Sequence, residues 1–439
     1  MIGNYWWMGE YVAETVGEAL RPIYKTAGNT ITSGTLVSLI DDIVYNPYRI
    51  NYADITDASN LCEKKVIIVD SSRVLVIYES NIADNAVKAV IFSISGNSLT
   101  AGTPVTVSTG ETTTGLTGAL IDTDKVLIAI GKSGNSEVLV LSINGTSITA
   151  GTPVVFLATN TPYYPDLTKL DTNKALLVFA DGNNSQYGTA RAMTISGTTI
   201  TLGTAFVFES ADVYNTNTTM SVVAVNTSVA VVCFSDIGNG KFGTATILSI
   251  SGTTITKGQV YVFHSKEVTW ITATLIDANK VLLCYVYRPT TSTHSVGAAT
   301  ILTVSGTTFS GTPTIINTGH EATSSSTIFA YNIIKISTTQ ALLLSNYNSL
   351  GTANLMSISG TEITMLSGSF CFEPSEVSKI SSVLVSSGKV VIIYSDAIKR
   401  LNNLILNIAG SEITAEIITP ITGLAVTASA YINGTNKVG

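Results

Sequence analysis

Seven apolar runs of five residues recur along the chain, at 74–78 (VLVIY), 126–130 (VLIAI), 175–179 (ALLVF), 230–234 (AVVCF), 281–285 (VLLCY), 341–345 (ALLLS) and 390–394 (VVIIY). They are too short for buried helices, and their lack of polar alternation implies a strand covered on both faces. A turn precedes each run, as in IDTDK (121–125), LDTNK (170–174) and IDANK (276–280). Asp, Asn and Thr in these turns suit a tight reversal out of an earlier strand. An alternating segment follows each run, for example KAVIFSISG (88–96) and TATILSISG (244–252). It ends in Ser-Gly or Asn-Gly, where glycine supplies the positive φ of a two-residue hairpin. A Thr-rich, β-branched fourth strand comes next.

The hairpin glycines are Gly96, Gly145, Gly197, Gly252, Gly306, Gly360 and Gly410, spaced by 49, 52, 55, 54, 54 and 50 residues. Self-similarity at that period marks a stacked or radial array. Four strands in about fifty residues, with no room for a helix, make one blade of a β-propeller. A parallel β-helix competes poorly, because the hairpin glycines call for antiparallel pairs. The sequence therefore predicts an all-β protein, a propeller of seven four-stranded blades over 61–421. An N-terminal attachment segment (1–60) precedes it, and a C-terminal strand (422–439) is expected to pair with that segment. The stretch 23–40 repeats the hairpin around Gly28, so the alternative is eight blades, the last closed by both ends.

Charged residues make up only 12% of the 439 residues, about half the usual share. A net charge of −7 leaves no basic stripe, which argues against nucleic acid and removes the usual electrostatic signal for membrane surfaces. No run is long enough to span a bilayer, and the N-terminus does not read as a secretory signal. Cys62, Cys233, Cys284 and Cys371 show no metal-binding spacing and are expected to be buried free thiols. No cofactor or metal site is expected.

Two terminal segments carry a resemblance. KTAGNTITSGTLVSL near the start and GLAVTAS with NGTNKV near the end resemble segments that flank an inserted domain in bacteriophage virion proteins. The ISGTTIT-xGT repeat is similar to propeller modules of phage tail proteins. The resemblance implies a virion protein of the phage tail, made in the host cytoplasm, whose partners are other virion proteins and a host surface glycan. It carries over no catalytic or binding residue. The repeat lacks the Trp-Asp pair of WD40 repeats, the double glycine of kelch repeats and the Asp box of sialidases.

The turns between strands one and two and the glycine hairpins are nearly constant, while the other loops vary and share the opposite face. Variable loops on a rigid scaffold are where recognition resides. Carboxylates recur in the inter-blade loops: Glu111, Asp166, Glu209, Asp212, Glu267, Glu321, Glu373 and Glu376. Tyr163, Tyr164, Tyr214 and Trp270 accompany them. Carboxylates accept hydroxyl hydrogen bonds and flat rings stack on a pyranose, so Tyr163, Tyr164, Asp166, Tyr214, Glu267 and Trp270 form the candidate glycan site. Solvated loop acids and structural tyrosines are the plainer alternative. Glu79, Asp181, Asp236 and Asp396 follow the apolar runs, and turn formation explains them better than calcium binding. His264, His294 and His320 have no fixed spacing, and no nucleophile elbow is present. A non-enzymatic binding protein is expected. Its alternatives are a structural baseplate or capsid-decorating protein and a propeller glycoside hydrolase. Trp6 and Trp7, outside the repeat, are the expected contacts to the virion.

Overall fold

The computed structural model describes residues 38–40, 43–45, 64–80, 86–110, 113–214, 219–289, 295–322, 328–347, 349–366, 368–374, 376–396, 401–417 and 426–430. Their strands form consecutive antiparallel meanders of four strands at 64–108, 113–157, 162–212, 221–264, 267–322, 328–373 and 378–417, numbered blades 1 to 7 in chain order. The first strands of neighbouring blades touch all the way round, and Lys64–Asp70 of blade 1 meets Ser378–Ser386 of blade 7. First strands are thus innermost, around a central channel, and the architecture is a β-propeller. An eighth blade would need terminal residues that lie mostly outside the described ones.

Burial explains the apolar runs. Val74, Leu75, Val76, Ile77 and Tyr78 are all fully buried. Leu75 and Ile77 pack toward blade 2 with Leu116, Val126 and Ile128, while Val74, Val76 and Tyr78 pack toward blade 7 with Val385, Val391 and Ile393. Each blade is a sheet between two sheets, so both faces of its second strand must be apolar. Each such side chain contributes about 1.5–3 kcal/mol relative to exposure.

All seven hairpin glycines have φ between +58° and +65°. In blades 1, 2, 3, 5 and 6 the fourth strand is split, a feature the sequence reading did not anticipate. In blade 1, Ser98–Ala101 and Val105–Ser108 both pair with Ala86–Ser95. The break falls at the glycine of the xGT motif, where Gly102 N–H donates to Ile91 O at 2.8 Å. The same glycine in blade 3, Gly203, lies against the next blade: a Cβ there would stand 2.6 Å from Thr253 O and 2.7 Å from Thr253 Cβ. Thr253 directly follows hairpin glycine Gly252, so the two halves of the repeat motif interlock across the blade boundary.

The terminal strands do not pair with each other among the described residues. Ile43–Tyr45, hairpinned to Ser38–Ile40, runs parallel to Ser369–Glu373 of blade 6. Val426–Ala430 adds antiparallel to Glu412–Ile417 of blade 7. Each terminal segment covers an outer edge that would otherwise leave backbone groups unpaired. Trp6 and Trp7 lie outside the described residues. Cys233, Cys284 and Cys371 are buried free thiols, as expected, and burial pushes Cys371 up to about 12. Cys62 lies outside the described residues.

Candidate functional site

Strand register assigns the residues to faces. In blade 3, Pro162 lies opposite Asp181, Asp181 opposite Tyr187, and Tyr187 opposite Asp212. The starts of strands one and three and the ends of strands two and four therefore share one face, which forms one mouth of the channel. Tyr163, Tyr164, Tyr214, Glu267 and Trp270 all belong to it.

Three tyrosines come together there. The Tyr163 and Tyr214 rings are 3.9 Å apart between centroids, and Tyr164 stacks on Tyr214 at 5.7 Å and 29°. All three are partly exposed. Asp212 Oδ1 accepts from Tyr214 N at 2.7 Å and fixes the turn that carries the ring. Burial raises the Tyr214 hydroxyl above its ordinary range, with smaller contributions from Tyr163 and Asp212. Glu267 and Trp270 sit at the boundary of blades 4 and 5. Lys241 Nζ lies 3.2 Å and Arg288 Nη1 3.7 Å from Glu267 Oε1. Trp270 packs on Val286.

Tyr214 and Glu376 lie outside strands, as expected, but the loop assignment needs correction for the others. Tyr163, Tyr164 and Asp166 lie in the strand Pro162–Asp171, and Glu267 and Trp270 in Thr254–Asp277. That 24-residue strand runs from the outer edge of blade 4 into the centre of blade 5 with no loop between them. Glu209, Asp212, Glu321 and Glu373 likewise end strands, and Glu111 lies outside the described residues.

Asp166 belongs to the channel wall rather than to the mouth. It occupies the same register as Lys65, Thr117, Ser221, Thr272, Asn332 and Ser381, a ring with one polar side chain from each blade. Asp166 Oδ2 accepts from Val222 N at 2.9 Å, Ser221 Oγ from Ala273 N at 3.2 Å, and Ser381 Oγ from Val66 N at 3.0 Å. An innermost strand has one edge without a ladder partner, and these side chains satisfy N–H groups on that edge. Thr117 Oγ1 also donates to Asp166 Oδ1, at 3.2 Å. Both carboxylate oxygens are thus occupied by the fold.

Other acids are engaged in the same way. Glu79 accepts from Thr113 N at 3.0 Å, and Glu373 from Tyr394 Oη at 3.1 Å. Asp181 and Asp236 accept from Asn183 N and Asn239 N, which agrees with a turn-forming role. Burial, and secondarily Glu209, raises the Asp236 carboxyl above its ordinary range. His264 and His320 lie in different strands, His294 is not among the described residues, and no metal-binding cluster occurs among those that are.

Sequence reasoning missed a strained position at this mouth. Tyr164, Trp270 and Lys379 have φ of +49°, +53° and +52°. Each opens a β-bulge in which two residues oppose one: Tyr164 and Pro165 across from Phe179, Trp270 and Ile271 across from Tyr285, Lys379 and Ile380 across from Tyr394. The second residue of each pair is buried. Pro165 rests on Gly115 of blade 2, where a Cβ would come 2.6 Å from Pro165 Cδ. Left-handed backbone costs a non-glycine residue about 1–2 kcal/mol, and the buried anchor offsets it.

No family model matches the chain, and no curated protein is significantly similar to it in sequence. Solved structures are similar in fold. A hypothetical selenium-binding protein from Sulfolobus tokodaii aligns with TM-score 0.54 at 7% identity, covering 80% of this chain and 88% of that one. The WD40 domain of coronin from Toxoplasma gondii aligns with TM-score 0.52 at 9% identity, covering 90% of each. A protein from Lactobacillus plantarum gives TM-score 0.50 at 12% identity, covering 82% of this chain and 95% of that one. These likenesses support the propeller fold and nothing finer.

Proposed function

We infer that this propeller is a non-enzymatic recognition module that binds a glycan on the mouth face carrying Tyr163, Tyr164 and Tyr214. The observation that carries this reading is the stack of three partly exposed tyrosines, Tyr164 on a β-bulge and Tyr214 on a turn held by Asp212, beside carboxylates already fixed by the fold. Aromatic platforms suit the apolar face of a sugar ring. Carboxylates engaged by Thr113, Val222, Tyr394 and Lys241 suit architecture better than acid–base chemistry. The resemblance of the terminal segments to those of phage virion proteins supports a role for such a module in a phage tail, joined to other virion proteins and directed at a host surface polysaccharide.

The test is binding of the purified protein to an array of bacterial surface polysaccharides. Tyr164→Ala combined with Tyr214→Ala should reduce binding at least tenfold with the far-UV spectrum unchanged. Undiminished binding by that variant, with loss after removal of residues 1–22, would move the contact to the terminus and favour a structural role.

A further inference from the structure

We propose that the bound glycan is an extended chain lying across the channel mouth, held jointly by Tyr164, Trp270 and Lys379. The proposal rests on the glycan-binding reading above and adds the site's extent and the length of its ligand.

These three residues occupy the same bulge in alternate blades, 3, 5 and 7, with the same left-handed φ. If the bulge served only to bend the strand, glycine would fill it without strain. Two large aromatics and a long cation stand there instead. Tyr164 and Trp270 are partly exposed and Lys379 is exposed. Backbone strain retained under a large side chain points to a use for that side chain.

The shared register puts the three around the rim of one mouth, where Trp270 also packs with Val286 and Tyr347. Described residues on both sides link two of them. Tyr164 stacks on Tyr214 at the end of blade 3, and Thr219 Oγ1 at the head of blade 4 donates to Ile271 O at 2.8 Å, beside Trp270. Sheets packed face to face lie about 10 Å apart, so platforms two blades apart are separated by roughly 10–20 Å. One sugar ring cannot touch both. A chain of several can, with one ring on Tyr164, another on Trp270, and a hydroxyl or ring oxygen accepting from Lys379 Nζ.

The experiment measures affinity for size-graded fragments of those array polysaccharides that the wild-type protein binds, alongside Tm. The variants are Trp270→Gly, Lys379→Gly and Tyr164→Ala/Tyr214→Ala. Wild-type affinity should climb steeply once fragments are long enough to reach the second platform. Trp270→Gly and Lys379→Gly should each weaken the long fragments at least tenfold and leave the shortest unchanged. Because glycine accepts positive φ, Tm should hold or rise in the Lys379 variant. Unchanged long-fragment affinity in both glycine variants, with loss in the tyrosine variant, would overturn the proposal and leave the simpler reading standing. A wild-type protein that binds no polysaccharide would overturn both. Affinity and Tm falling together in the Lys379 variant would mark that residue as packing and overturn its assigned part in the site.

Discussion

Lys389 Nζ donates to the carbonyl oxygen of Gly96 at 2.6 Å, joining the last blade to the hairpin of the first across 293 residues of chain. Closure recurs at the channel, where Ser381 Oγ accepts from Val66 N, and in the core, where Val391 and Ile393 pack with Val74 and Val76. Gln340 Nε2 to Gly410 O and Arg73 Nη1 to Gly145 O repeat the Lys389 contact between other neighbours. The ring is thus held at its hairpin face, its core and its axis.

These contacts are unequal in worth, and the difference is measurable. Ser381→Ala leaves the buried Val66 N–H without its acceptor and should cost about 1–3 kcal/mol. Asp166→Ala orphans Val222 N and Thr117 Oγ1 and should cost a similar amount while leaving glycan binding intact. Lys389→Met loses only an exposed contact and should cost less than about 1 kcal/mol. Urea denaturation of the three variants checks the order, and a Lys389 variant weaker than the Ser381 one would reverse it.

Two glycines one turn apart should respond differently to the same methyl group. Gly197 has φ +64° and open space around its Cβ position, so Gly197→Ala should cost about 1 kcal/mol through backbone strain alone. At Gly203 the added carbon would strike Thr253 O and Cβ, and Gly203→Ala should cost about 1–3 kcal/mol through forced movement of the blade boundary. Equal losses in the two variants would contradict the interlock.

The propeller and its hairpin glycines were legible in the sequence because each follows from a local pattern repeated seven times, and the buried thiols Cys233, Cys284 and Cys371 because they fall in apolar surroundings. Tyr163, Tyr164 and Tyr214 were legible as a group because they sit where one blade begins and ends. Asp166 was misread: an acid beside two tyrosines looks like a binding loop. Its polar column emerges only when innermost strands are aligned by register, and bulges shift that register by one. Lys379 gave no aromatic signal, and its positive φ is a property of backbone geometry that composition does not encode.

His320 should make stability depend on pH. It is 4% exposed, with Nδ1 3.4 Å from Thr318 Oγ1 and its ring against Tyr347, and burial holds it down at about 4. The folded state therefore prefers the neutral ring, whereas the unfolded chain takes up a proton near its ordinary 6.5. Stability from this group is fully present above 6.5 and is lost as pH falls toward 4, by about 3 kcal/mol in all. His320→Phe should flatten the fall in urea midpoint between pH 7 and pH 4.5. A variant that tracks the wild type throughout would show that His320 does not titrate differently on folding.

The central claim is that recognition belongs to the mouth face built by Tyr163, Tyr164, Tyr214 and Trp270. Hydrogen exchange of the full chain, with and without a saturating polysaccharide from the binding array, tests it most directly. The account predicts added protection at 162–166, 212–214, 267–272 and 378–381, with the hairpins at 95–98, 144–147, 196–199 and 251–254 unchanged. Protection confined to those hairpins, or to residues 1–22, would contradict it.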